Sequence, residues 1–111
     1  MKKNVLIIGA GGVAHVAVHK AAMNNELLGD ICIASRTLSK CDGIIDSVKR
    51  KGHIQNPAYK LYSRQIDALD IPATVQLIKD TNSQIVINLG QAFLNMSILE
   101  ACLETGAADI D

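Results

Sequence analysis

Residues 5–14 read Val5-Leu6-Ile7-Ile8-Gly9-Ala10-Gly11-Gly12-Val13-Ala14, a branched apolar run followed at once by a glycine-rich turn. The apolar run suits a strand that is buried on both faces, as strands of parallel sheets are. The turn fits the pattern G-x-G-x-x-A and opens a segment with helical spacing. Such a strand, turn and helix near the N-terminus predict the phosphate-binding unit of a dinucleotide-binding fold.

Each residue of this turn suits a pyrophosphate. Gly9 permits a tight turn out of the strand, and Gly11 lets the phosphates approach the backbone because it has no side chain. Ala14 is small enough for close packing of the helix on the strand. The N–H groups around Gly12, Val13 and Ala14 would face the phosphates, whose negative charge the helix dipole favours. The alternative is a glycine-rich turn that only packs well.

Apolar runs alternate with helical patterns along the rest of the chain. Strands are predicted at Asn4–Ile8, Asp30–Ala34, Tyr59–Tyr62, Gln84–Asn88 and Ala107–Ile110. Helices are predicted from Val13 to about Asn25, from Leu38 to about Lys51, from Asp70 onward, and from Asn95 to Thr105. This alternation implies parallel strands with right-handed crossovers. We therefore expect an α/β fold, a Rossmann doubly wound parallel sheet with strand order 3-2-1-4-5 in a three-layer α/β/α arrangement.

Composition argues against several classes of protein. The 111 residues are 49% hydrophobic, enough to form the core of one domain, and eleven acids balance eleven bases. No basic surplus points to nucleic acid or to an anionic membrane, and aromatic residues for base stacking are scarce. The apolar run at residues 5–8 is too short for a membrane span or a signal peptide. We expect a cytoplasmic domain that binds neither nucleic acid nor membrane.

Cysteine and histidine residues form no convincing metal or redox motif. Cys32, Cys41 and Cys102 are widely spaced and odd in number, so we expect buried, reduced thiols. His15 and His19 would share one helix face at a spacing that can bind zinc, but the sequence shows no third ligand. We expect no metal site, and we predict that both histidines lie on the helix surface or at a domain interface.

The residues after the second predicted strand bear on the choice of cofactor. NAD-binding domains carry an acid about 20 residues past the glycines, which binds the ribose hydroxyls. Here the segment reads Ser35-Arg36-Thr37, with Lys40 following, and it contains no acid. Arginine can grip a 2′-phosphate through two parallel hydrogen bonds, and the two hydroxyls can add donors. We therefore predict NADP(H), although Thr37 could simply cap the next helix and Arg36 and Lys40 could be solvated charges.

Two further positions follow predicted strands. Asp67 could contact the edge of the adenine, or it could, like Asp70, be an acid favoured near a helix N-terminus. Gly90 could let the backbone approach the ribose or nicotinamide, or it could be a turn glycine without a contact. We find no convincing nucleophile with its base, nor a carboxylate pair, and therefore name no catalytic residue.

Three segments together resemble the saccharopine dehydrogenase family. They are residues 5–14, then Ile33-Ala34-Ser35-Arg36-Thr37 with Lys40, and then Ile85-Val86-Ile87-Asn88-Leu89-Gly90. The stretches at residues 15–20 and 106–111 add to the likeness, which covers essentially the whole chain. Within the family, the chain is most similar to the members that make carboxylated polyamines.

The resemblance implies an N-terminal Rossmann domain joined to a separate catalytic and dimerisation domain, in a homodimeric enzyme. Its activity would be the NADPH-dependent reductive condensation of aspartate β-semialdehyde with a diamine. By the same resemblance, residues 9 and 11–14 would bind the pyrophosphate, and residues 35–37 the ribose 2′-phosphate. No catalytic residue carries over, because residues 1–111 would be only the cofactor-binding piece of a longer enzyme.

Three alternatives stay open at this point. A related reductase could act on another amino-acid imine. A non-catalytic nucleotide-sensing domain could share the fold, although such sensors usually keep the acid that this chain lacks after its second strand. A purely structural domain that has lost its ligand is disfavoured by the intact glycine turn.

Overall fold

The computed structural model describes residues 3–23, 28–52, 60–89 and 95–110. Its strands are β1 (Lys3–Ile8), β2 (Leu28–Ser35), β3 (Leu61–Gln65), β4 (Ile85–Asn88) and β5 (Ala108–Ile110). Its helices are α1 (Gly12–Met23), α2 (Leu38–Arg50), α3 (Ile71–Asp80) and α4 (Asn95–Thr105). Strands and helices therefore alternate as the sequence predicts.

The five strands form one parallel sheet with the order β3-β2-β1-β4-β5, which confirms the predicted topology. Ile8 at the end of β1 is level with Ala34 of β2 and with Asn88 of β4. Ser35 at the end of β2 is level with Gln65 of β3. The carboxyl ends of these four strands thus lie side by side, at the edge where open α/β sheets bind their ligands.

Helices cover both faces of the sheet, so the predicted three-layer arrangement is also confirmed. On one face, Val5 and Ile7 of β1 pack in a cluster with residues of α1 and α2. On the other face, Leu6 and Ile8 pack with residues of α3 and α4. All four side chains are almost completely buried, because β1 is the central strand and has a helical layer on each side.

The third strand lies further along the chain than predicted. We expected it at Tyr59–Tyr62, whereas β3 spans Leu61–Gln65, and Tyr59 lies outside the described residues. β3 is an edge strand, and its residues are half-buried or exposed. An edge strand needs no continuous apolar run, so the tyrosines gave a misleading boundary.

The buried face of α1 is shifted by one position from the helical repeat that the sequence suggests, which is Val13, Val16, Ala17, Lys20 and Ala21. Ala14, Val18 and Ala22 pack against the sheet, whereas Val13 and Val16 are exposed. Ala14 and Ala22 have small side chains, which allow the helix to approach the strands closely. Val13 and Val16 lie on the outer side of the helix.

The prediction that both histidines of α1 lie on the helix surface or at a domain interface does not hold for His19, which is buried within this domain. Its side chain is only 7% exposed, and its Nε2 atom lies 3.1 Å from the Oγ atom of Ser47 in α2. The ring of His15 is partly exposed and lies against it, with 4.6 Å between the ring centroids. His19 thus fills the contact between two helices and has a polar partner there, as buried polar groups generally do.

Candidate cofactor-binding site

A cleft of about 330 Å³ opens at the carboxyl edge of the sheet. Its lining comes from the segments that follow four strands, namely Ile8–Gly11, Ser35–Thr37 with Lys40, Ile66–Leu69, and Leu89. The predicted site residues that it brings together are Gly9, Gly11, Ser35, Arg36, Thr37, Lys40 and Asp67. Gly12, Val13 and Ala14 form the first turn of α1, directly after the lining residue Gly11. Gly90 lies outside the described residues.

The turn after β1 leaves room for a ligand beside the backbone. Gly9 has a φ of 125°, a conformation that strongly favours glycine, and its N–H donates to the carbonyl of Ala34 at 2.8 Å. A Cβ atom placed on Gly11 would meet nothing within 4 Å. The backbone conformation therefore explains why residue 9 is a glycine. At Gly11 the described residues leave room for a side chain, so a pyrophosphate bound in that open space would explain the glycine there.

The N-terminus of α1 can bind an anion. The first hydrogen bond of the helix runs from the N–H of His15 to the carbonyl of Gly11 at 3.0 Å. The N–H groups of Gly12, Val13 and Ala14 precede it and so have no acceptor within the helix. No acidic residue lies in the first turn, so the partial positive charge of the helix end is not offset there.

The loop between β2 and α2, residues 35–37, is held in shape by the hydroxyl of Ser35. Its Oγ atom accepts a hydrogen bond from the N–H of Thr37 at 3.1 Å and donates one to the carbonyl oxygen of Thr37 at 3.0 Å. The same hydroxyl lies 3.3 Å from Sγ of the buried Cys41. Ser35 therefore uses its hydroxyl within the loop, a structural role that the sequence pattern did not predict.

The side chains of Arg36, Thr37 and Lys40 are exposed at the cleft. Thr37 occupies the N-cap position of α2, but its side chain makes no capping hydrogen bond. The alternative that Thr37 only caps the helix is therefore not supported. Two cationic side chains and a hydroxyl group thus share one wall of the cleft, a combination that suits a phosphate.

The two acids after β3 have different positions. Asp70 is the N-cap of α3, and its Oδ1 atom accepts a hydrogen bond from the N–H of Ala73 at 3.1 Å. Asp67 lines the cleft, and its Oδ1 atom accepts from the N–H of Leu69 at 3.1 Å. The helix N-terminus therefore explains Asp70, and Asp67 stays the candidate for a contact with adenine.

A pair of substitutions separates these two positions. We expect Asp70→Ala to lower the free energy of unfolding by about 1 kcal/mol, because α3 loses its N-cap, while cofactor affinity stays unchanged. Asp67→Ala should weaken NADPH and NADH alike, by about threefold or more, because both contain adenine. Urea unfolding and a fluorescence titration of each variant check this. If Asp67→Ala leaves both affinities at the wild-type value, Asp67 only shapes its turn.

Sequence reasoning missed several residues of the site. Ile8, Ala10, Ile66, Ala68, Leu69 and Leu89 give the cleft apolar walls. Gln65 was also missed, although its Nε2 atom donates to the carbonyl of Arg36 at 3.1 Å. Gln65 is the last residue of β3 and is level with Ser35, a position that would have indicated it as a site residue. The predicted strand ended at Tyr62, so that this position was not recognised.

The described lining of the cleft contains no cysteine and no histidine. Cys32, Cys41 and Cys102 are free and buried, as expected, and burial raises the pKa of Cys32 to about 12 and that of Cys102 to about 11. Those two thiols are protonated at neutral pH and are poor nucleophiles. Within the described ranges, no cluster of three or more potential ligands could hold a metal, and no helix could cross a membrane.

Known proteins share both the sequence and the fold. The family model described as the saccharopine dehydrogenase NADP binding domain matches residues 5–111. Carboxynorspermidine synthase from Vibrio alginolyticus is 47% identical over 107 residues, which are 96% of this chain and 26% of that protein. Carboxyaminopropylagmatine dehydrogenase from Synechocystis is 36% identical over 107 residues, which are 96% of this chain and 25% of that protein. The chain thus spans about a quarter of the length of these relatives.

Solved structures agree on the architecture. Apo saccharopine dehydrogenase (L-Glu forming) from Saccharomyces cerevisiae superposes with a TM-score of 0.73 at 21% identity, over 96% of this chain and 21% of that one. An actinorhodin polyketide ketoreductase with NADPH gives a TM-score of 0.64 at 14% identity, over 98% of this chain and 51% of that one. Identities this low show a shared Rossmann fold and nothing further. The family match and the geometry of the cleft together support a nicotinamide dinucleotide as the ligand of the cleft. The chain belongs to the saccharopine dehydrogenase NADP-binding domain family.

Proposed function

We propose that this chain is the NADPH-binding domain of a cytoplasmic, homodimeric oxidoreductase of polyamine biosynthesis. Its reaction would be the reductive condensation of aspartate β-semialdehyde with a diamine, which gives a carboxylated polyamine. The observation that carries the cofactor choice is the acid-free loop after β2, where Arg36 and Lys40 line the cleft. The names of the relatives, which refer to carboxylated polyamine products, support the reaction.

The described residues fit NADPH at three points. The open space at Gly11 and the N–H groups of Gly12–Ala14 would receive the pyrophosphate. Arg36, Thr37 and Lys40 would receive the 2′-phosphate, around a loop that Ser35 holds in shape. Asp67 and the apolar residues beside it would contact the adenine.

In this proposal the chain binds and orients the dinucleotide, whereas residues outside it hold the substrates. The bound dinucleotide supplies the hydride that reduces the carbon of the imine formed from aldehyde and diamine. Gly90 comes two positions after the last residue of β4 in the sequence, and it is our candidate for a backbone contact near the nicotinamide. Hydride transfer requires the imine carbon about 3–3.5 Å from the nicotinamide, and in this proposal residues outside the chain hold it there.

We expect the chain alone to bind NADPH and to oxidise none of it in the presence of aspartate semialdehyde and a diamine. A chimera provides a substrate-binding part, because in it this chain replaces the matched quarter of the Vibrio alginolyticus protein. It should oxidise NADPH only when both substrates are present, because the rest of the Vibrio alginolyticus protein would hold the imine. Absorbance at the NADPH band follows the reaction.

Two outcomes would contradict different parts of the proposal. Turnover by the chain alone would show that the substrate site lies within these residues. A chimera that folds but does not bind or oxidise NADPH would reject the proposal that this chain serves as the cofactor-binding domain of such an enzyme. The matched control is the unaltered Vibrio alginolyticus protein under the same conditions.

A further inference from the structure

We propose that Gln65 is a positioning residue for the 2′-phosphate of the cofactor, which it serves by fixing the main chain of Arg36. Gln65 ends β3, whereas Arg36 lies in the loop that follows β2. The preference for a phosphorylated ribose would therefore depend on a residue of the neighbouring strand. This inference rests on the proposed binding of NADPH, and its test is arranged so that the two can fail separately.

The contacts of the loop single out Gln65. The carbonyl of Ser35 accepts a hydrogen bond from the N–H of Ile66 at 3.0 Å. The carbonyl of Thr37 accepts from a backbone N–H of α2 and from Oγ of Ser35 at 3.0 Å. The carbonyl of Arg36 instead accepts from the side-chain amide of Gln65 at 3.1 Å. Among these contacts, the one at Arg36 is made by a side chain of the neighbouring strand, so it depends on the identity of the residue there.

Fixing the main chain matters at Arg36 because its side chain is exposed. A long, exposed arginine loses considerable conformational freedom when it grips a phosphate, and that loss opposes binding. The fold can reduce this loss by fixing the peptide group between Arg36 and Thr37. The arginine then has fewer conformations before it binds, so that it loses less freedom on binding. Gln65 and Ser35 hold this peptide on its two sides, through its own carbonyl and through the following N–H.

The chemistry of glutamine suits this position. Its amide donates to a carbonyl without bringing a charge towards the 2′-phosphate. A glutamate there would repel both the carbonyl oxygen and the phosphate, and its carboxylate could not donate. Methionine has nearly the same length and lacks the donor, so Gln65→Met removes the hydrogen bond with little change in volume.

The experiment compares Gln65→Met with Gln76→Met. Gln76 lies on the exposed side of α3 and does not line the cleft, and its Nε2 atom donates to Oδ1 of Asp80 at 2.7 Å. Gln76→Met therefore makes the same substitution and also removes a side-chain amide hydrogen bond, here to a carboxylate, without touching the loop. Dissociation constants for NADPH and NADH are measured for the 111-residue chain and for each variant, together with the melting temperature.

We expect Gln65→Met to weaken NADPH by about three- to tenfold, the scale of one neutral hydrogen bond, and to leave NADH unchanged. Gln76→Met should change neither cofactor. In an Arg36→Ala background, Gln65→Met should have little further effect on NADPH, because the group that it positions is gone. This non-additivity is a result that a merely stabilising role would not produce.

Failures of the inference and of the proposed function look different. If the wild-type chain binds NADPH and NADH equally, the proposed cofactor preference is wrong. If the wild type prefers NADPH and Gln65→Met keeps that preference in full, only the role of Gln65 is overturned. Equal weakening of both cofactors by Gln65→Met would also overturn it, because Gln65 would then support the whole cleft.

Discussion

Gly11→Val is expected to abolish dinucleotide binding while the fold persists. In the described structure, a Cβ atom at Gly11 meets nothing within 4 Å, so the chain can accept the side chain. The valine would instead fill the space into which a pyrophosphate must come to reach the N–H groups of α1. We expect a loss of more than about 3 kcal/mol, or over a hundredfold in affinity, for NADPH and NADH alike.

The control for this experiment is Gly43→Val. Gly43 lies on the exposed face of α2, away from the cleft, and a Cβ atom there also meets nothing within 4 Å. Both variants should keep the circular dichroism spectrum of the wild type, and only Gly11→Val should lose binding in a parallel titration. Retained binding by a folded Gly11→Val protein would mean that the turn after β1 does not hold the phosphates.

The order of the strands could be predicted because its signals are local and redundant. The apolar run of β1, the glycines after it and the helix that follows agree with one another, and few folds use that combination. Two helical layers bury β1 and keep its sequence apolar, so its position is plain from the sequence. The remaining elements alternate regularly, and the right-handed crossover rule leaves few topologies.

The edge of the sheet could not be predicted as well, since an edge strand carries a weaker pattern. β3 ends at Gln65, three residues beyond the boundary expected from its tyrosines. That error concealed the contact between Gln65 and Arg36, which joins residues 29 positions apart and depends on strand register. Sequence spacing reports such a pair only after the register is known.

The different roles of Asp67 and Asp70 could not be predicted from the sequence either. Both are acids in the short segment that precedes α3, and the sequence alone gives either of them a reason to be there. The structure distinguishes them because only Asp70 caps the helix, whereas Asp67 faces the cleft. For Ser35, the sequence indicated the loop, but the hydrogen bond that its hydroxyl accepts within that loop depends on the loop conformation, which the sequence does not give.

Arg36→Ala is expected to weaken NADPH binding by about 1.5–3 kcal/mol, the scale of a hydrogen bond to a charged group, and to leave NADH nearly unchanged. The selectivity arises because only NADPH carries the 2′-phosphate that the guanidinium would grip, whereas the Gly11 turn would serve both cofactors. The measurement is a titration of each cofactor at fixed salt, repeated with adenosine 2′,5′-bisphosphate and adenosine 5′-monophosphate as the smallest pair that differs in that phosphate.

Arg50→Ala is the matched control, because Arg50 is an exposed arginine at the far end of α2 and does not line the cleft. It should change neither affinity beyond the small effect of one distant charge, which salt screens. The advantage of the wild type for NADPH should itself shrink as salt rises, because the cations at the loop are exposed. If Arg36→Ala weakened NADH as much as NADPH, the arginine would be contacting a part common to both cofactors. The acid-free loop would then no longer be evidence for NADPH.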